Sequence, residues 1–215
     1  DREGFLYPEI TDACVFCGHC THICPSLKHR DLRPDPTVFA VWSEDDALRQ
    51  LLITHSQSVA QFALQIVSLH PELGIDRQFV LEAAMLHDIG IRLSDAPGIH
   101  CHGTEPYIRH GRIGAEWLRA EGFPRHARVC ERHTGAGITC RQIVERDLPL
   151  PHEDFLPETI EEQLICYADK FFSKSHPERQ KTAEQAIKSL RKFGDDGVTR
   201  FMQWQRMFGE EKEIR

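Results

Sequence analysis

From Ser43 nearly to the carboxyl end, apolar residues return at three- and four-residue intervals, and no run alternates with the period of two that a half-buried strand needs. That pattern restricts the main body to an all-α fold of packed helices. Ser43, Glu44, Asp45 and Asp46 read as a helix start, with a capping side chain and acids in the first turn where the helix dipole favours them. Val59, Phe62, Ala63, Ile66 and Val67 form one stripe, closed by Pro71 and Gly74. A second helix is expected from about Asp76 through Leu81, Ala84 and Met85 into His87-Asp88, stopping at Gly90. Further helices are expected at about 109–121, closed by Gly122, then at 124–132, near 139–146 and from Pro157 to about Ser173. Two more use Ala183, Ala186, Ile187 and Leu190, then Val198, Phe201 and Phe208. Phe171, Phe172, Trp204, Met202 and Met207 read as core packing, and Glu158 to Glu162 as a solvated helix start.

Two segments break the helical period. Arg92 to Tyr107 (RLSDAPGIHCHGTEPY) is polar, rich in Pro and Gly and long for a helix connection, so it is expected to cover a site. Residues 1–44 carry Cys, Pro and Asp with little period, and must be held by ligands more than by a core. The division is therefore 1–44 and 45–215. No stretch of about 18 apolar residues suggests a membrane span, and no charged and then apolar leader opens the chain, so cytoplasm is expected. The net charge of −7 argues against an extended nucleic-acid surface, because phosphate backbones are bound by Lys and Arg. A small phosphorylated ligand stays compatible with it, since bound metal ions supply positive charge locally.

Within 1–44, Cys14, Cys17, Cys20 and Cys24 fall in CVFCGHCTHICP at the spacing Cys-x2-Cys-x2-Cys-x3-Cys-Pro, the bacterial ferredoxin iron–sulfur signature. Four thiolates also suit a zinc knuckle; the spacing favours a 4Fe-4S cluster. The flanks FLYPEITDACVFCGHC and PTVFAVWSEDDALR resemble the ferredoxin-type segment of deazaflavin-dependent hydrogenase beta subunits and related reductases. In two-cluster ferredoxins the fourth Cys of a run serves the other cluster, and this chain has one run, so closure on Cys24 is the simplest expectation. Cys101, Cys130, Cys140 and Cys166 lack ligand spacing and read as packed or free thiols.

The helical body carries a second constellation: His55, His87-Asp88 within AAMLHDIG, His110 in RHGRIGAEWL, His133 in ERHTGAG and Asp169 in ICYADKF. Imidazole and carboxylate suit Mn, Fe or Zn. Over roughly residues 45–175 the sequence resembles the HD superfamily of metal-dependent phosphohydrolases, whose mark is a His, then His-Asp, then a distant Asp on a helical bundle. The two further histidines resemble the dinuclear subgroup, as in symmetrical diadenosine tetraphosphate hydrolases. That resemblance implies an HD-domain helical bundle with two divalent ions, Fe or Mn, bridged by Asp88. His55, His87 and Asp169 would complete one site, and His110 and His133 the other.

Many such hydrolases place Lys soon after His-Asp, whereas here Ile89-Gly90-Ile91-Arg92 follows. The Gly-Tyr-Pro set of cyclic-di-GMP phosphodiesterases and the Glu-Asp pair of alarmone hydrolases are absent, which disfavours those substrates. Arg92, Arg109 and Lys170, with His100 and His102, are candidates for phosphate binding or proton transfer beside Asp88. The resulting expectation is a dinuclear phosphohydrolase acting on a nucleotide or small phosphate ester, with the cluster structural or redox-active. The alternative is a mixed-valent diiron oxygenase of the same superfamily, fed by the cluster or an electron-transfer partner. A non-catalytic redox sensor is a third class, which no residue marks.

Overall fold

A computed structural model describes residues 46–209, so Cys14, Cys17, Cys20 and Cys24 and the boundary at 44/45 lie outside the described residues. The described chain runs α1 (Asp46–Leu69), α2 (Arg77–Leu86), α3 (His110–Ala120), α4 (Pro124–Arg132), α5 (Cys140–Glu145), α6 (Ile160–Asp169), α7 (Ala183–Leu190) and α8 (Asp195–Phe208). It is an all-α bundle, as the periodicity requires.

Helix α6 sits at the centre, because Leu164 through Asp169 are buried without interruption; a helix apolar on every side has no face to give to solvent. It packs against α1, α2, α4 and α8. Val59, Ala63 and Ile66 of α1 face it within one core that also takes Phe171, Phe201, Trp204 and Phe208. Met202 and Met207 depart from the expected packing. They are exposed on α8, whose buried stripe is Gly197, Phe201, Trp204 and Phe208.

The helix ends follow local chemistry. The Asp76 carboxylate accepts from Phe79 N to start α2, and Thr139, Thr159 and Thr182 open α5, α6 and α7 with capping boxes. The box at Thr159 starts α6 three residues later than Pro157. It also corrects the reading of Glu158–Glu162 as a solvated start: Glu162 is only 3% exposed and takes Arg128 Nε of α4 at 2.6 Å. That ion pair ties α4 to the central helix.

The segment after α2 is a 3-10 turn (Ile89–Leu93) and then a two-residue antiparallel ladder, β1 (Asp95–Ala96) on β2 (Cys101–His102). Periodicity is blind to a ladder this short. Ile91 and Cys101 anchor it to Leu48 and Leu52 at the start of α1. Among the described residues, no helix is long and apolar enough to cross a membrane.

Candidate metal centre

His55 lies within α1, while the other constellation residues sit at helix ends: His87 caps α2, Asp88 follows it, His110 opens α3, His133 caps α4 and Asp169 ends α6. The last turn of a helix leaves main-chain carbonyls without an intrahelical partner; His87 and His133 use such groups, while His110 uses a carbonyl of the turn before α3. His87 Nδ1 donates to Ala84 O at 2.6 Å, His110 Nδ1 to Tyr107 O at 2.6 Å and His133 Nδ1 to Cys130 O at 2.7 Å. A carbonyl only accepts, so each Nδ1 carries a proton and each Nε2 is turned to the interior, the arrangement found for metal-ligating histidine.

The two oxygens of Asp88 divide the imidazole Nε2 atoms. Oδ2 lies 3.3 Å from His55 Nε2 and 3.1 Å from His87 Nε2. On the same side, Asp169 Oδ1 lies 3.0 Å and 3.6 Å from those two atoms. Oδ1 instead faces His110 Nε2 at 3.3 Å and His133 Nε2 at 3.2 Å, and these two nitrogens are 3.1 Å apart. The neutral His133 ring has spent its proton on a carbonyl, so its Nε2 is an acceptor that converges with the acceptor Oδ1 beside His110 Nε2. Such convergence suits a cation. His55, His87 and Asp88, and separately Asp88, His110 and His133, bring ligand atoms within 4.8 Å of one another, and all five residues are buried. No aligned hydrogen bond satisfies His55 Nε2, His87 Nε2 or either Asp88 oxygen. Buried polar atoms are seldom left so, and the donor set fits divalent Mn, Fe or Zn.

Lysines supply charge on the solvent side. Lys170 Nζ lies 2.5 Å from Asp169 Oδ2 and donates to His133 O at 3.1 Å. Lys174 Nζ lies 2.7 Å from Asp88 Oδ2. Burial penalises the charged Asp88 carboxylate, yet His87 and Lys174 hold it well below the ordinary carboxylate range; Lys170 and Lys174 do the same for Asp169. Burial would lower His87, but Asp88 and Asp169 push it up to about 9, whereas burial prevails at His133 and takes it down to about 4.

A cavity of about 490 Å³ opens over this cluster, lined by His110, His133, Asp169, Lys170 and Lys174 and, from the segment before α3, by Ala96, Ile99 and Tyr107. The segment expected to cover a site does wall one. Of the polar residues singled out in the sequence, Lys170 reaches the cavity and Arg92 and Arg109 do not. Arg92 is exposed with its guanidinium over the Trp117 ring at 5.6 Å, and Arg109 is drawn to Glu105 at 2.6 Å. His100 and His102 are exposed and off the cavity wall. Lys174 was missed because nothing in YADKFFSK says that the chain turns back after Asp169; Lys174 points at Asp88 only once it does. Cys130 and Cys166 are buried free thiols whose Sγ atoms donate to the carbonyls of His87, at 2.9 Å, and His133, at 3.3 Å.

The sequence matches the HD domain family over residues 52–173, more than half of the chain. The chain belongs to the HD domain family. It is 36% identical over 124 residues to a tRNA (cytidine(56)-2′-O)-methyltransferase of Picrophilus torridus, covering 57% of this chain and 32% of that protein. An uncharacterised protein of Methanocaldococcus jannaschii is 36% identical over 121 residues, covering 55% of this chain and 64% of that one. A tRNA (cytidine(56)-2′-O)-methyltransferase of Thermoplasma volcanium is 33% identical over 144 residues, covering 66% of this chain and 37% of that protein. The matches thus span 32–64% of the length of these relatives. No solved structure matches the chain.

Proposed function

We propose that this HD protein is a dinuclear metal-dependent phosphohydrolase acting on a nucleotide or small phosphate ester. The observation that carries the reading is the division of Asp88, one carboxylate oxygen to His55 and His87 and the other to His110 and His133. Asp169 joins the first group. By this reading His55, His87, Asp88 and Asp169 hold one ion, Asp88, His110 and His133 hold the other, and Fe or Mn is the expected metal. When bound, such a pair supplies Lewis acidity for a phosphoryl oxygen and makes water a nucleophile near neutral pH.

The chain's own residues do the rest. Lys170, Lys174, Lys181 and Lys192 line the cavity with Asp169 as the one carboxylate among its lining, so an acidic protein presents a cationic mouth there. Burial and the charges of Lys170, Lys192 and Lys174 lower Lys181 against the pull of Asp169, which is crowding that an anionic ligand relieves. Phe172, Leu190 and Phe193 limit water on the same walls. Lys174, beside Asp88 and facing the cavity, is assigned to phosphate binding and charge stabilisation in place of Arg92 and Arg109. Two relatives bear tRNA methyltransferase names, which favours a nucleotide among phosphate esters; no methyl transfer is proposed, since the matches cover only 32% and 37% of those proteins. Cys14, Cys17, Cys20 and Cys24 are proposed to carry a 4Fe-4S cluster of structural or redox role on a segment 1–44.

The test is phosphate release from nucleotides by Mn-loaded protein under strict anaerobiosis. Turnover should proceed without oxygen, and Lys174→Ala should raise KM at least as much as it lowers kcat. Turnover that requires oxygen and iron would replace this reading by the oxygenase.

A further inference from the structure

A second cavity of about 270 Å³ adjoins the first and shares Gly135, Lys192 and Phe193 with it as lining. Its other walls are of a different kind. Ile138 belongs to a small apolar cluster with Ile143 and Phe155, against which Ile108 and Leu148 pack, and Ile108, Ile138 and Leu148 all line this second space. No carboxylate lines it.

The partition between the two spaces is built and fixed. Lys192 and Phe193 end the 3-10 turn Arg191–Phe193, and Gly194 at φ +107 turns the chain away into α8. Gln142 Nε2 donates to Phe193 O at 2.8 Å, and Arg146 Nη1 donates to Lys192 O at 3.2 Å, so α5 and the residue after it pin this backbone from the second cavity's side. Gly135, at φ +62, lies beneath the Phe193 ring: a Cβ there would sit 3.7 Å from it. The Lys192 ammonium lies 4.9 Å from the centre of the same ring. A ring and a cation thus stand on the border, with a cationic chamber over the histidine cluster on one side and on the other a chamber whose surface is mostly apolar, with Gln142 and Arg146 also in its wall.

Alone, about 270 Å³ falls below the roughly 300–1,000 Å³ of a complete small-molecule site, so it suits one part of a ligand. We propose that this second cavity is a subsite for the flat ring of a nucleoside phosphate, with the linking phosphates passing Lys192 and the reacting phosphate lying over Lys170 and Lys174. The subsite rests on the phosphohydrolase reading and adds to it the shape of the substrate. Gln142 is occupied on both sides of its amide, with Oε1 accepting from Thr139 N and Nε2 donating to Phe193 O. Thr139 Oγ1 also donates to Oε1, so Oε1 has no spare lone pair while Nε2 keeps a second hydrogen; beyond contact and stacking the ring meets donors alone, from Gln142 and Arg146.

Isothermal titration of Mn-loaded protein with two hydrolysis-resistant probes tests this. One is adenosine 5′-(α,β-methylene)diphosphate; the other is methylenediphosphonate, the charged head without the nucleoside. The wild-type chain should bind the nucleoside probe at least tenfold more tightly. Leu148→Trp, which fills the second cavity, should weaken the nucleoside probe about tenfold and leave methylenediphosphonate unchanged, with melting followed by circular dichroism to verify the fold. Phe193→Ala, which removes the ring without adding bulk, should also weaken the nucleoside probe selectively. Equal affinity of the wild type for both probes, or loss of both probes together in the two variants, overturns the subsite and leaves the hydrolase reading standing. Failure of the wild type to bind either probe overturns both.

Discussion

At His87 two demands meet, because the side chain that offers Nε2 toward Asp88 is also held up to about 9 by Asp88 and Asp169. Below that pH the metal-free ring carries a proton on Nε2 as well as Nδ1, and a ligand must lose the former. Metal binding at pH 7 should therefore expel a proton, and affinity for Mn should rise with pH toward about 9 and level off above it. Titrations in buffers of differing ionisation enthalpy measure the released proton directly; pH-independent affinity between 7 and 9 would contradict the charge assigned to His87. The clustered His and Asp residues themselves were legible in the sequence, since each belongs to a residue type that marks metal chemistry whatever its surroundings. Lys174, Glu162 and Arg92 were not. Their roles depend on what they face in three dimensions: Asp88, Arg128 and Trp117 respectively.

At the scale of elements, the centre depends on how closely the turn after α2 approaches α3. A Cβ at Gly90 would lie 2.1 Å from His110 O and 2.4 Å from Gly114 N, and one at Gly114 would meet Cys130 Sγ at 2.5 Å and Gly90 N at 3.0 Å. These glycines let backbone touch backbone, which brings His110 to the Asp88 that precedes Gly90 by two residues. Gly90→Ala should force the elements apart at a cost of about 1–3 kcal/mol or more, lowering Tm and weakening the ion shared by Asp88, His110 and His133. Gly98→Ala, where nothing lies within 4 Å of the added carbon, is the control and should leave Tm unchanged. Differential scanning fluorimetry with and without Mn separates the two. The sequence placed Gly90 as a helix stop, but α2 ends at Leu86 and Gly90 lies inside the 3-10 turn that follows; its role, the close approach to α3, needs the partner helix. Helix order and the buried stripes could be read from periodicity, while the ladder of β1 and β2, at two residues a strand, was too short for any periodic signal.

Over the whole molecule, two metal chemistries are proposed for one chain. Where a 4Fe-4S cluster closes on the amino-terminal run, Cys24→Ala should lose its visible absorbance or leave a three-iron species. Cys130→Ala and Cys166→Ala should keep it, because those thiols are buried against the carbonyls of His87 and His133. An intact four-iron spectrum in Cys24→Ala would assign the fourth ligand elsewhere. One carboxylate, Asp88, is proposed to hold two ions. The most direct measurement of this is the Mn stoichiometry of the anaerobically purified chain, stripped and reloaded, together with the exchange-coupled EPR signal of a Mn pair. The wild type should hold two Mn per chain with a coupled signal, His110→Ala one Mn without coupling, and Asp88→Ala none while keeping its helical circular dichroism. Two coupled Mn ions in the Asp88→Ala protein would contradict the proposal.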